Sequence, residues 1–167
     1  MRPLSDAEKG YFRELHEYAL SLGMKVEMKD PSTFRYTYKK LYSLELHGNP
    51  AKVSVSYRLD NGKYVSGAFD RFLAVAETQP DADALVLYIR DNVGICDGCR
   101  YRAEGRKKSN ERCGERVSIR GARRLTSVMC NAAISRYHRG RPFVVYTPAD
   151  VPMLKRMLDV RVLQLET

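Results

Sequence analysis

The sequence predicts an α+β protein: a small antiparallel sheet with helices packed on it, plus a basic insert in which four cysteines hold a metal ion. Three observations predict it. Alternating apolar and polar runs fill the first 60 residues or so behind one amphipathic helix. A strand-then-helix pattern closes the chain. Between them, every cysteine and the whole charge imbalance fall in one segment.

Ser5-Asp6-Ala7-Glu8 has the S-x-x-E form of a capping box. Phe12, Leu15, Ala19 and Leu22 follow at helical spacing, with Gly23 as the terminator and His16 on the helix surface. The run from Met24 to Lys29 alternates as a half-buried strand does, and Asp30-Pro31-Ser32-Thr33 breaks it. The aromatic stretch FRYTYKKLYSLELHG is expected to place Phe34, Tyr36 and Tyr38 on one face, and, where their strand is continuous, Tyr42, Leu44 and Leu46 on one face. After the turn at His47-Gly48-Asn49-Pro50, Lys52–Leu59 reads as a strand with Val53, Val55 and Tyr57 on one side. Asp60-Asn61-Gly62 then turns the chain.

Residues 68–76 read as a short helix. Pro80-Asp81-Ala82-Asp83 reads as the start of another, although the bare apolar run LVLYI also suits a strand. Pro142–Tyr146 is expected to be a strand. Thr147-Pro148-Ala149-Asp150 opens a helix striped by Met153, Leu154, Met157 and Leu158, and Arg161–Leu165 is expected to be a last short strand. The expected organisation is an N-terminal body over 1–92, a metal-binding basic module over 93–141, and a return to the body over 142–167.

Residues 96–142 hold 13 of the 29 basic residues and 4 of the 20 acidic ones, a net charge of +9, and the rest of the chain is neutral. Eleven of those 13 are arginine, whose planar fork of donors suits phosphate and carboxylate. The candidate footprint is Arg100, Arg102, Arg106, Lys107, Lys108, Arg112, Arg116, Arg120, Arg123, Arg124, Arg136, Arg139 and Arg141. Tyr101, Tyr137 and His138 lie between arginines, where rings can stack on unpaired bases or pack locally. The alternative for the whole segment is a solvated arginine-rich loop.

The cysteines Cys96, Cys99, Cys113 and Cys130 are spaced C-x2-C-x13-C-x16-C. The C-x2-C pair, with Asp97-Gly98 between the thiols, lets two sulfurs face one ion. Four thiolates complete a tetrahedral zinc site. An iron–sulfur cluster is the second metal reading. A disulfide pair and four unrelated free thiols are the alternatives without metal, and His138 is the alternative fourth ligand. Residues 100–116 hold few apolar side chains, so a metal would supply the order that burial there cannot.

Four thiolates leave no open position for hydrolytic chemistry. The sequence has no H-x-E with P-C-x-x-C, no H-E-x-x-H, no P-loop and no G-x-S-x-G, so the reading leans away from an enzyme. The expectation is a zinc protein that binds nucleic acid or another polyanion. The alternative is a small-molecule sensor whose pocket is lined by Tyr36, Tyr38, Tyr42 and Tyr57, with the zinc purely structural and the arginines free for an acidic protein partner. No apolar run reaches membrane-spanning length, and the N-terminal stretch has no signal-peptide core, so a cytoplasmic location without a membrane partner is expected.

Overall fold

Ser5 starts the first helix as its capping box predicts. Its hydroxyl accepts from the Glu8 amide at 3.2 Å, and the Glu8 carboxylate accepts from the Ser5 amide at 2.6 Å. Helix α1 runs Asp6–Ser21, burying Tyr11, Leu15 and Ala19 on one side. It stops where Gly23 takes φ +78°, a left-handed conformation that costs glycine little. The computed structural model describes residues 4–48, 51–55, 67–92, 116–125 and 147–167.

Four strands follow: β1 Lys25–Asp30, β2 Thr33–Tyr38, β3 Leu41–Gly48 and β4 Ala51–Val55. They form one antiparallel sheet in the order β1-β2-β3-β4. Two local devices set the first connections. The Asp30 carboxylate accepts from the Ser32 amide at 2.8 Å and the Ser32 hydroxyl at 2.9 Å, which closes the β1–β2 turn. Lys39 and Lys40 both have positive φ, 48° and 65°, between the paired residues Tyr38 and Leu41. That is the two-residue turn whose twist matches a hairpin.

The core of this unit lies between one sheet face and two helices. Tyr36, Leu44, Leu46 and Val53 meet Tyr11, Leu15 and Ala19 of α1 and Val151, Leu154 and Leu158 of the last helix. That helix, labelled α4 here, spans Val151–Glu166 after a 3-10 turn at Pro148–Asp150. The Asp150 carboxylate accepts from the Thr147 amide at 2.7 Å and its hydroxyl at 2.9 Å. Helix α2, Ala68–Glu77, packs against α4 and buries Phe69, Phe72 and Ala76. Residues 1–80 and 144–167 make up this first unit.

The second unit covers residues 81–143. Its described part is helix α3, Ala82–Asn92, beside a two-stranded ribbon of β5, Arg116–Ile119, and β6, Ala122–Leu125. Leu85, Val86 and Ile89 of α3 and Ile119 of β5 are buried. The helix settles the ambiguity of LVLYI: residues 85, 86 and 89 share one helical side.

The α+β expectation holds, and several finer expectations are corrected. Arg161–Leu165 is not a strand but the last turns of α4, because Leu154, Leu158 and Arg161 continue one buried helical row. Strand β1 is not half-buried: all six residues are exposed, since among the described residues it ends the sheet and the helices pack on the strands behind it. Tyr42 does not share a face with Leu44 and Leu46. The register shifts between Tyr36↔Leu44 and Thr37↔Tyr42, so Ser43 is an extra residue and Tyr42 turns to the opposite face. His16 is half-buried, not on the open surface, and shares a 2.8 Å hydrogen bond with the Tyr36 hydroxyl. Tyr57, the strand expected at Pro142–Tyr146 and most of the cysteine segment lie outside the described residues.

Candidate functional site

The part of the arginine-rich segment that the structure describes is the β5–β6 ribbon. Its register pairs Arg116 with Leu125, Val117 with Arg124, Ser118 with Arg123 and Ile119 with Ala122. Arg120 and Gly121, at φ 48° and 80°, form the two-residue turn at its tip. The ribbon thus carries Arg116, Arg120, Arg123 and Arg124 within ten residues of paired backbone. Arg120 donates to the Asp83 carboxylate at 2.6 Å, tying the tip to the first turn of α3. That carboxylate is 90% exposed, so the pair is a surface contact of about 1 kcal/mol or less.

Sequence reasoning predicted the basic residues but not the ribbon. The available signal was VSI-RG-ARRL, two short runs around a two-residue turn ending in glycine. Arg100, Arg102, Arg106, Lys107, Lys108, Arg112, Arg136, Arg139 and Arg141 lie outside the described residues, as do Tyr101, Tyr137 and His138. The same is true of Cys96, Cys99, Cys113 and Cys130. Among the described residues there is no cluster of histidine, cysteine or acidic side chains that would hold a metal ion.

The candidate pocket tyrosines are placed apart. Tyr36 is 1% exposed within the core, where burial pushes its hydroxyl up to about 12. Tyr38 donates to the Glu166 carboxylate at 2.6 Å. Tyr42 lies on the other sheet face, with the Arg35 guanidinium 5.5 Å from its ring centre.

That outer sheet face carries a polar cluster that the sequence reading passed over. Glu45 of β3 accepts from Arg35 Nε at 3.0 Å and Nη2 at 2.9 Å, both on Oε1. Lys29 of β1 stands 3.6 Å from the same oxygen, and His47 Nε2 is 3.1 Å from Oε2. A carboxylate only accepts, so Nε2 carries a proton there. Nδ1 lies 3.2 Å from Thr33 Oγ1. The hydrogen bond from His47, with those from Arg35 and the charge of Lys29, holds the Glu45 carboxyl at about 2, against an ordinary 4.5. The signal was present in the strand register, which puts Glu27, Arg35 and Glu45 in one cross-strand row.

A second polar constellation is internal. Arg161 donates to Gln164 Oε1 at 2.8 Å and to the Tyr42 carbonyl at 2.8 Å, and Gln164 Nε2 donates to the Ala68 carbonyl at 2.8 Å. Together they bind α4 to β3 and to α2. The arrangement is structural: Arg161 is fully buried, and its Nη1 and Nη2 serve its own helix and the β3 backbone.

No family model matches the chain, and no curated protein or solved structure matches it either. None of the described helices is long and apolar enough to cross a membrane.

Proposed function

We propose that this is a non-enzymatic zinc protein that binds nucleic acid or another polyanion through residues 96–142, in a reducing cytoplasmic setting. The observation that carries the reading is the charge segregation: a net +9 within those residues and a neutral remainder. Phosphate backbones attract such a surface by direct attraction and by release of condensed counterions. The ribbon adds a shape argument, because a two-stranded antiparallel ribbon is an element that the major groove of a duplex admits.

Cys96, Cys99, Cys113 and Cys130 are the residues that would hold the metal. As a donor set, four thiolates fit zinc and leave it closed to catalysis. Zinc bound there would supply cross-linking of a segment whose like charges oppose compaction.

The test combines metal analysis with a salt titration. One zinc per chain is expected in the purified protein. Affinity for a fluorescent oligonucleotide is expected to fall linearly on a log–log plot against salt. The slope should be about −0.9 per duplex phosphate neutralised, or about −0.7 on a single strand. Reversing Arg123 and Arg124 to glutamate should flatten that slope by about 2 on a duplex and weaken binding to all sequences alike. Salt-independent binding, or metal-free folded protein, overturns the reading.

A further inference from the structure

Strand β1 ends the sheet, and among the described residues it pairs only with β2. Among the described residues no strand pairs with its other backbone edge. Its six residues are all exposed, and on the face shared with the helices the apolar row continues past helical cover. Val26 is 40% exposed, Met28 67% and Phe34, directly across from Met28, 43%. An open edge flanked by uncovered apolar side chains favours the addition of another strand.

The sequence of β1, KVEMKD, specifies which strand fits. Edge strands are commonly blocked by charge, but the charges here alternate in sign, and an antiparallel copy reads alternation as complementarity. With the two-fold axis at Val26, Lys25 stands opposite the partner's Glu27, and Glu27 opposite the partner's Lys25. Val26 faces its own copy, and Met28 faces the partner's Met24. Moving the axis to Glu27 sets Glu27 against itself and Lys25 against the partner's Lys29. Moving it to Met28 runs Val26 into the partner's Asp30, beyond the register shift between Met28 and Asp30 and beside the turn that Ser32 closes. We infer that β1 is a homodimerisation edge: a second copy of this chain adds antiparallel to β1 with Val26 on the two-fold axis, joining the four described strands of each copy into one sheet. Such an axis is perpendicular to the sheet, so the helices of both copies stand on the same face. The exposed Val26, Met28 and Phe34 of the two copies then adjoin across the seam. The contact is isologous and closes on itself, so it yields a dimer and no filament.

Light scattering across a concentration series tests this. The wild-type chain is expected to reach twice its 19.1 kDa mass. Glu27→Lys should return the mass to that of one chain, with circular dichroism unchanged. Adding Lys25→Glu to Glu27→Lys should restore the dimer, since the swapped charges pair again across the axis. Under mild oxidation Val26→Cys should cross-link to its own copy above the wild-type background, and Met28→Cys should not. This arm stands even if Glu27→Lys disturbs folding. A wild-type chain that stays monomeric, a Glu27→Lys variant that stays dimeric, a double swap that stays monomeric, or cross-linking at Met28→Cys instead of Val26→Cys overturns the proposal.

Discussion

Arg161 has the largest of the fully buried side chains among the described residues, in a position where a leucine would ordinarily stand. Burial lowers its guanidinium to about 10, still well above neutrality, so it stays charged. A hydrogen bond to a charged donor contributes about 1.5–3 kcal/mol, and removing the donor also strands its acceptors. Arg161→Met is therefore expected to destabilise by about 3 kcal/mol, read as a lower urea midpoint at unchanged slope. Glu45 yields the pH prediction. Its folded carboxyl titrates at about 2, below its ordinary 4.5, so it contributes stability above that ordinary value. The contribution is lost as pH falls from about 4.5 to about 2, because the unfolded chain takes up the proton first. Urea unfolding across that window should show the decline. Glu45→Gln should be less stable at neutral pH and flatter within the window. Neither residue was legible as a site. In VRVLQL, Arg161 interrupts the apolar pattern that would have marked a helix, and Glu45 looked like any polar residue of an alternating strand.

The helices and strands were more legible than their junctions. The capping box of α1, the stop at Gly23 and the Thr147–Asp150 start all form as the residues predict, because each depends on contacts within a few positions. The extra residue at Ser43 was not visible, since a bulge depends on the neighbouring strand rather than on its own sequence. The β2–β3 turn was hidden for another reason. Two-residue hairpin turns favour Asn-Gly, and here two lysines adopt left-handed φ. That conformation costs a non-glycine residue roughly 1–2 kcal/mol, and glycine escapes it. Lys40→Gly is expected to stabilise the protein by about 1 kcal/mol, after allowance for the greater freedom of glycine in the unfolded chain. Lys39 is better left in place, since its ammonium lies 3.0 Å from the Glu166 carboxylate. The urea midpoint should rise for Lys40→Gly and fall for Lys40→Val, whose branched side chain suits that φ worst.

At the scale of the whole chain, composition located the charge imbalance and alternation located the sheet, because both are sums over many residues. The ribbon at the centre of the basic segment was missed, since four-residue strands give periodicity too little length to register. The two units differ in what can hold them. Among the described residues, sixteen buried apolar side chains belong to the first unit, and only Leu85, Val86, Ile89 and Ile119 to the second. The described residues of the second unit thus offer few buried apolar side chains to fix its fold. The proposed thiolate site would add to them: zinc contributes about 10–16 kcal/mol in small zinc peptides, comparable to the stability of a whole domain. Stripping the metal with a chelator is therefore expected to act on one unit alone. Amides of α3, β5 and β6 should lose hydrogen-exchange protection, while those of α1, β2, β3 and α4 keep theirs. Oligonucleotide binding should disappear with the protection and return with added zinc. Exchange that is identical with and without chelator would show that the second unit stands without metal. The four cysteines would then need another role.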